Sequence, residues 1–390
     1  MRKIIAVLLV LAISYGISAQ GYKFTVVKEN PITSIKNQAN SGTCWSWSGL
    51  AFLESELIRK GKGTHDLSAM YVVRRNYADQ AEKYVRLNGT LNFSQGGSFA
   101  DVVETLDEYG AVPLEVYQGL NYGTEKHAHS ELSAGLEAYV SAIAKKPNRT
   151  LTTAWKAGLE GILDAYLGKM PTDFQYQGAD YTPQSFAKSL ELQNSDYISL
   201  TSFTHHPFYK PFAVEVADNW RWAPSYNLPI DEFMSAIDYL INAGYTLAWA
   251  TDVSEIGFTR TGLAVVPDDE AEDNIGSDQA HWLGLSKAEQ GNLLKEKIAK
   301  GPVKQKEITQ EMRQTAFDNQ ETTDDHGMQI YGIAKDQKGN KYYMVKNSWG
   351  ETGNYKGIWY ASEEFVKYKT MSIVINKESL PRDVANKLGF

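Results

Sequence analysis

The 390-residue sequence contains a single cysteine, Cys44. A disulfide within the chain and a thiolate-rich metal cluster are therefore both excluded. Positive charge is also scarce: 39 Lys and Arg against 47 Asp and Glu give a formal net charge of −8. That balance argues against the concentrated cationic face that nucleic acid requires, and no nucleic-acid partner is expected. Long apolar runs are missing too. Beyond the first residues nothing approaches the roughly 20 consecutive apolar residues of a membrane-crossing helix, so no membrane span is expected. No repeat or low-complexity linker divides the chain.

The amino-terminal segment is distinctive. Met1-Arg2-Lys3, the apolar run Ile4 to Ile13 and the small residues Ser14 to Ala19 have the three-part build of a signal peptide covering residues 1–19. The mature protein is then expected outside the cytoplasm, in a periplasm or the medium. In such an oxidising setting a lone thiol is a liability unless it is used. The remaining chain, 43% hydrophobic overall, suffices for a sizeable core.

Apolar spacing predicts a helix from Cys44 to Lys60 stopped by Gly61, a second capped by Ser68, and a third over Ser98 to Tyr109 ended by Gly110. From Leu114 to about Val253 the pattern is mixed and polar, with a strand at 197–202 and a helix at 230–243. Strands at 329–334 and 342–346 flank the turn-rich Asp336 to Asn340. Leu380, Val384 and Leu388, four residues apart, predict a short amphipathic helix in the tail.

Cys44 opens its helix, where partial positive charge and unpaired N–H groups favour a thiolate. A nucleophilic thiol needs a base, and among seven histidines His326 stands out in Asp325-His326-Gly327 at the start of a strand. The base needs an orienter. Asn347 fills that role in Asn347-Ser348-Trp349-Gly350, with Trp349 shielding the pair from water. Gln38, shortly before Cys44, offers a side-chain N–H beside the Cys44 backbone N–H for an oxyanion. A plain hairpin centred on Lys338 leaves His326 three residues, roughly 10 Å, from the position facing Asn347. Only a bulge or twist closes that gap. His205-His206 and His127-Ala128-His129 lack an acidic or sulfur ligand at zinc-site spacing and read as surface histidines, so no metal and no cofactor is expected.

In chain order Gln38…Cys44-Trp45, Asp325-His326-Gly327 and Asn347-Ser348-Trp349-Gly350 resemble the papain-type cysteine peptidases. Ser41 stands where a papain-type signature has a cysteine, and His326 lies roughly 280 residues after Cys44 instead of the usual 130 to 150. These departures resemble the bleomycin hydrolase and bacterial aminopeptidase C branch, as do Tyr181-Thr182-Pro183-Gln184-Ser185-Phe186, Leu228-Pro229-Ile230-Asp231-Glu232-Phe233 and Trp249-Ala250-Thr251-Asp252-Val253. The resemblance implies an α+β, papain-like two-lobe fold: a helical lobe over about 36–112, a long insertion over about 113–320 and a β-barrel-like lobe over about 321–376 with the amino-terminal lead. Residues 377–390 form the tail. It implies a thiol aminopeptidase acting on peptides, with Gly96, Gly97 and Trp349 lining the cleft, and a ring-shaped homo-hexamer. Gly96-Gly97 read equally as a turn entering a helix. The branch typically ends in an arm of Trp-Asp-Pro-Met-Gly type, which the final residues here do not resemble. An endopeptidase on the same scaffold and a non-catalytic peptide-binding descendant are the alternatives.

Overall fold

A computed structural model describes residues 21–146, 149–268 and 287–390. The expected signal peptide, residues 1–19, lies outside the described residues. Strand β1 (Thr25–Glu29) leads to helices α1 (Cys44–Arg59), α2 (Ala69–Arg86) and α3 (Phe99–Tyr109). Local chemistry fixes their ends. The Ser68 hydroxyl accepts from the Tyr71 N–H at the start of α2, Ser98 and Asp101 cap α3 reciprocally, and Gly110 leaves α3 at a φ of +84°. Helix α1 differs, because Thr43 gives its first turn no side-chain cap. Every residue from Trp45 to Leu57 is buried, as expected of a helix enclosed on all sides.

Two further helices, α4 (Ser130–Ala144) and α5 (Ala154–Leu167), occupy the stretch whose pattern reads as mixed and polar. Each buries only a narrow stripe, Leu132, Leu136, Val140 and Ala144 in one and Leu159, Leu163 and Leu167 in the other. A small hairpin of β2 (Phe174–Tyr176) and β3 (Ala179–Tyr181) precedes α6 (Pro183–Leu190).

The remaining elements build one sheet and its cover. They are β4 (Tyr197–Thr201), β5 (Pro211–Ala213), β6 (Pro224–Asn227), α7 (Ile230–Asn242), β7 (Leu247–Thr251), β8 (Leu263–Ala264), α8 (Lys287–Lys300) and α9 (Gln310–Asp318). They continue with β9 (His326–Lys335), β10 (Lys341–Lys346), β11 (Ile358–Ser362), α10 (Glu363–Lys369), β12 (Thr370–Asn376) and α11 (Arg382–Leu388). The strand order is β5-β6-β4-β12-β7-β9-β10-β11-β8, with β1 also on β9. Among the described residues this sheet is open, with no closed barrel, which corrects the barrel-like lobe expected from the sequence. The physical reason is that β4, β5 and β6, from the long insertion, extend the sheet beyond β12 to a free edge at β5.

Alternation along the strands gives the sheet two uses. Leu200, Trp249, Ile373 and Ile375 are buried in one cluster with Phe233 and Ile237 of α7 and Val384 and Leu388 of α11. Each such buried side chain contributes about 1.5–3 kcal/mol. Their neighbours Ser199, Ala250, Ser372 and Val374 line a pocket on the other face, toward the helices. The tail helix therefore covers the side of the sheet away from that pocket.

The β9–β10 hairpin contains the required irregularity. Lys341 to Met344 pair with Lys335 to Gly332, then the register slips so that Val345 faces Ile330 and Lys346 faces Gln329. Tyr331 is the extra residue of a bulge. Carried past Lys346, the first register would leave His326 and Asn347 an odd number of residues apart, on opposite faces. The slip returns them to the same side and removes one residue of the gap.

Candidate active site

The start of α1 and the start of β9 meet at the pocket, and two contacts bring them together. The Ser48 hydroxyl donates to the Gly327 carbonyl at 2.6 Å. A Cβ on Gly327 would fall 3.1 Å from Phe99 Cζ and 3.2 Å from Trp45 Cα, so only a residue without a side chain lets β9 come this close to α1. Cys44, the residue before Trp45, and His326, the residue before Gly327, line the same pocket.

His326 is 5% exposed, and its Nε2 lies 2.9 Å from Asn347 Oδ1. The Ser348 backbone N–H donates to that same oxygen at 2.7 Å. A backbone N–H can only donate, so the atom is an acceptor and His326 Nε2 must carry the proton. In the neutral ring the free lone pair then belongs to Nδ1, which has no hydrogen-bond partner among the described residues. Trp349 covers the ring, centroids 4.7 Å apart, and is itself held edge-on by Trp359 at 5.6 Å and Phe258 at 6.0 Å.

Gln38 belongs to the same scaffold. Its backbone N–H donates to the Ser348 carbonyl at 2.8 Å, and the Ser348 hydroxyl donates to Gln38 Oε1 at 2.6 Å. That bond orients the amide. One Nε2 hydrogen goes to the Ser41 carbonyl at 2.7 Å, leaving the second available.

Burial governs the electrostatics here. It pushes the Cys44 thiol up to about 12, against the backbone N–H groups of Gly327 and Trp45 that favour the thiolate. It also drives His326 down to about 4, with the Asn347 hydrogen bond opposing. Sequence reasoning expects the helix terminus to lower the thiol pKa. A helix terminus supplies at most about 2 kcal/mol, roughly 1.5 pH units, so desolvation of this partly exposed thiol outweighs it.

The glycines occupy a different environment from an open cleft floor. Gly97 lines the pocket but lies under the Trp45 ring, where a Cβ would be 2.8 Å from Cε2. At Gly96 a Cβ would fall 2.1 Å from Asp218 Oδ1, so a carboxylate of the chain itself occupies the close approach. Asp218 and Asp324, both absent from the sequence-derived site, line the pocket. Asp324 adjoins the Asp325-His326-Gly327 motif, a signal the sequence carries, whereas nothing near Asp218 in sequence marks it. No residue of the tail lines the pocket.

The histidine pairs need correction. His127 and His129 are buried, 6% and 0% exposed, because the chain around them folds under α1 and α2 against Trp47 and Tyr77. His205 and His206 do have an acidic neighbour: Glu215 lies 3.0 Å from Nε2 of each. It comes from the connection after β5, beyond local sequence spacing. Among the described residues no helix is long and apolar enough to cross a membrane.

Comparisons with known proteins bear on the fold and the class of enzyme. A model of the Peptidase C1-like family matches residues 304–389. Aminopeptidase C of Streptococcus thermophilus is 24% identical over 396 residues, covering 89% of this chain and 81% of the relative. Aminopeptidase C of Lactobacillus delbrueckii subsp. lactis is 25% identical, covering 90% and 81%. In fold, the chain is similar to the crystal structure of PepW from Lactobacillus rhamnosis HN001, with a TM-score of 0.69 at 20% identity over 93% of this chain and 84% of that one. The resemblance found in the sequence is borne out: the chain is a cysteine-type peptidase of papain-like fold, similar to the aminopeptidases C.

Proposed function

We propose that this chain hydrolyses peptides from their amino termini, with Cys44 as nucleophile, His326 as base and acid, Asn347 as orienter and Gln38 as an oxyanion donor. The observation that carries this reading is the His326 Nε2–H bond to Asn347 Oδ1, which leaves a basic Nδ1 in the pocket that Cys44 lines. As substrate arrives, the Cys44 proton moves to His326 Nδ1 while Sγ adds to the scissile carbonyl carbon. The resulting oxyanion is received by the Cys44 backbone N–H and the second Nε2 hydrogen of Gln38. His326 returns its proton to the amine, the C–N bond breaks, and an acyl thioester remains on Cys44. Water then gives a proton to Nδ1, adds to the thioester and releases the acid, while the proton returns to sulfur.

The aminopeptidase part of the reading is supported by the relatives' names and by the match over nine tenths of the chain. Incubation of the purified protein with an unblocked peptide is expected to release single amino acids stepwise from the amino end. Internal cuts alone would point to the endopeptidase alternative, and an untouched peptide would contradict the reading as a whole. The same proposal includes export with loss of residues 1–19, supported by the charged start, apolar run and small residues. A native protein whose mass still includes Met1 would count against that part.

A further inference from the structure

The tail helix lies on the far side of the sheet, yet the pocket at Cys44 is closed on one side by another part of the chain. Strands β5 and β6 pair antiparallel, Ala213 opposite Pro224, and the connection between them, residues 214–223, leaves the edge of the sheet and reaches the helical lobe. Asn219 ties its base, donating from Nδ2 to the carbonyls of Val214 and Ala223, each at 3.1 Å. Its tip is fastened by Arg221, whose guanidinium meets Asp79 of α2 at 2.7 Å and Asp101 and Glu104 of α3 at 2.5 and 3.4 Å. Trp220, 2% exposed, lies under that guanidinium at 4.3 Å. Three carboxylates on one planar cation, over a buried ring, hold the connection across the space beside Gly96 and Gly97.

The closed end is acidic. Val214, Val216 and Ala250 give the pocket apolar walls, and its charged lining groups are Asp218, Asp324 and Asp325, with no Lys or Arg among them. Asp325 is engaged by the Val253 N–H at 2.8 Å and by the Ser254 hydroxyl. Asp218 and Asp324 have no hydrogen-bond partner among the described residues. The buried His326 ring, with Nδ1 unpartnered, faces the same space. Burial and, after it, the Asp101 charge push the Asp218 carboxyl up to about 6. Burial and, after it, the charges of Asp218, Asp325 and Asp252 hold Asp324 well above the usual carboxylate range. Partly buried acids without a protein partner gain from a cation that enters beside them. A peptide carboxylate is repelled, which fixes the direction of entry.

We infer that residues 214–223 are a built-in strap closing the cleft upstream of the scissile bond, and that Asp218 of the strap together with Asp324 receives the free α-ammonium of the substrate's first residue. The inference rests on the proposed peptidase reading and deepens it. It assigns the exopeptidase block to the inserted connection in the middle of the chain, while the tail serves the core.

The test compares one unblocked peptide, its acetylated form, and an acetylated peptide with Arg two residues before the bond to be cut. The parent enzyme should cleave only the first. Asp218→Asn and Asp324→Asn should each lower kcat/KM on it on the order of ten- to a hundredfold, the loss of a charge-assisted hydrogen bond. The melting temperature should hold or rise, and alkylation of Cys44 by a neutral reagent should not slow, because the charges of Asp324 and Asp218 disfavour the thiolate, so a loss confined to the unblocked peptide reports ammonium binding. Replacing residues 215–222 by a two-glycine turn should create cleavage of the acetylated peptide; if that variant fails to fold, the two Asn variants decide. Parent cleavage of the acetylated peptide as fast as the free one would overturn the strap. Preference for the acetylated Arg peptide would show a side-chain subsite and overturn the ammonium assignment. Unchanged kcat/KM in both Asn variants would do the same. Persisting hydrolysis in Cys44→Ala would instead defeat the underlying peptidase reading, so the two failures are separable.

Discussion

Cys44→Ala is expected to lose all measurable peptide hydrolysis, a fall on the order of 10⁶-fold, the scale seen when a triad nucleophile is removed. The loss comes from chemistry alone. Cys44 is partly exposed at the start of α1 and makes no side-chain cap, so removing one sulfur atom changes little in the packing. The variant should melt within a few degrees of the parent. Turnover at the parental rate in a folded variant would move the nucleophile elsewhere, and the chain has no second cysteine to offer.

His326→Ala is expected to reduce kcat by about 10⁴- to 10⁶-fold, and Asn347→Ala by about 10²-fold, the cost of a misaligned base. The asymmetry follows from the hydrogen bonds: His326 moves the proton, while Asn347 only fixes which nitrogen is free. The pH dependence follows from burial. His326 accepts a proton only when neutral, and its pKa is driven down to about 4. Reactivity is therefore present above that value and is lost as pH falls through it. Inactivation by a small uncharged thiol reagent should show an acid limb near 4, belonging to the Cys44–His326 pair as a unit, and not near the 6.5 of a free imidazole. A limb at 6.5 would mean that the ring is solvated in solution, against its 5% exposure. Equal losses in the two variants would assign Asn347 a share in proton transfer.

Much of this site can be read in the sequence because its signals are local. Cap residues and glycines set α2, α3 and the end of α1, and a loop running into an apolar helix marks Cys44. The pairing of His326 with Asn347 is legible only in part. Spacing around the turn predicts the hairpin, whereas the bulge at Tyr331 that puts the two side chains together comes from a register slip that no residue type announces. Helices α4 and α5 escape a pattern-based reading because their fully buried stripes are one residue wide and the residues beside them, such as Tyr139 and Ile162, are only half-buried. The strap is the least legible element. Asp218 and Arg221 lie in a polar insertion more than 100 residues from the motif around His326, and their meaning arises only when β5 and β6 join the sheet edge. The tail shows the reverse case: the spacing of Leu380, Val384 and Leu388 foretells the amphipathic helix that is observed, and the sheet it covers explains why those residues are needed.

The measurement that bears most directly on the account is the mass of the protein itself during turnover. Peptide substrate mixed with enzyme and quenched in acid within milliseconds should leave the substrate's acyl group on the chain as a thioester, which peptide mapping places on Cys44. Rapid hydrolysis with Cys44 unmodified at every time point, or with the acyl group on another residue, would contradict it.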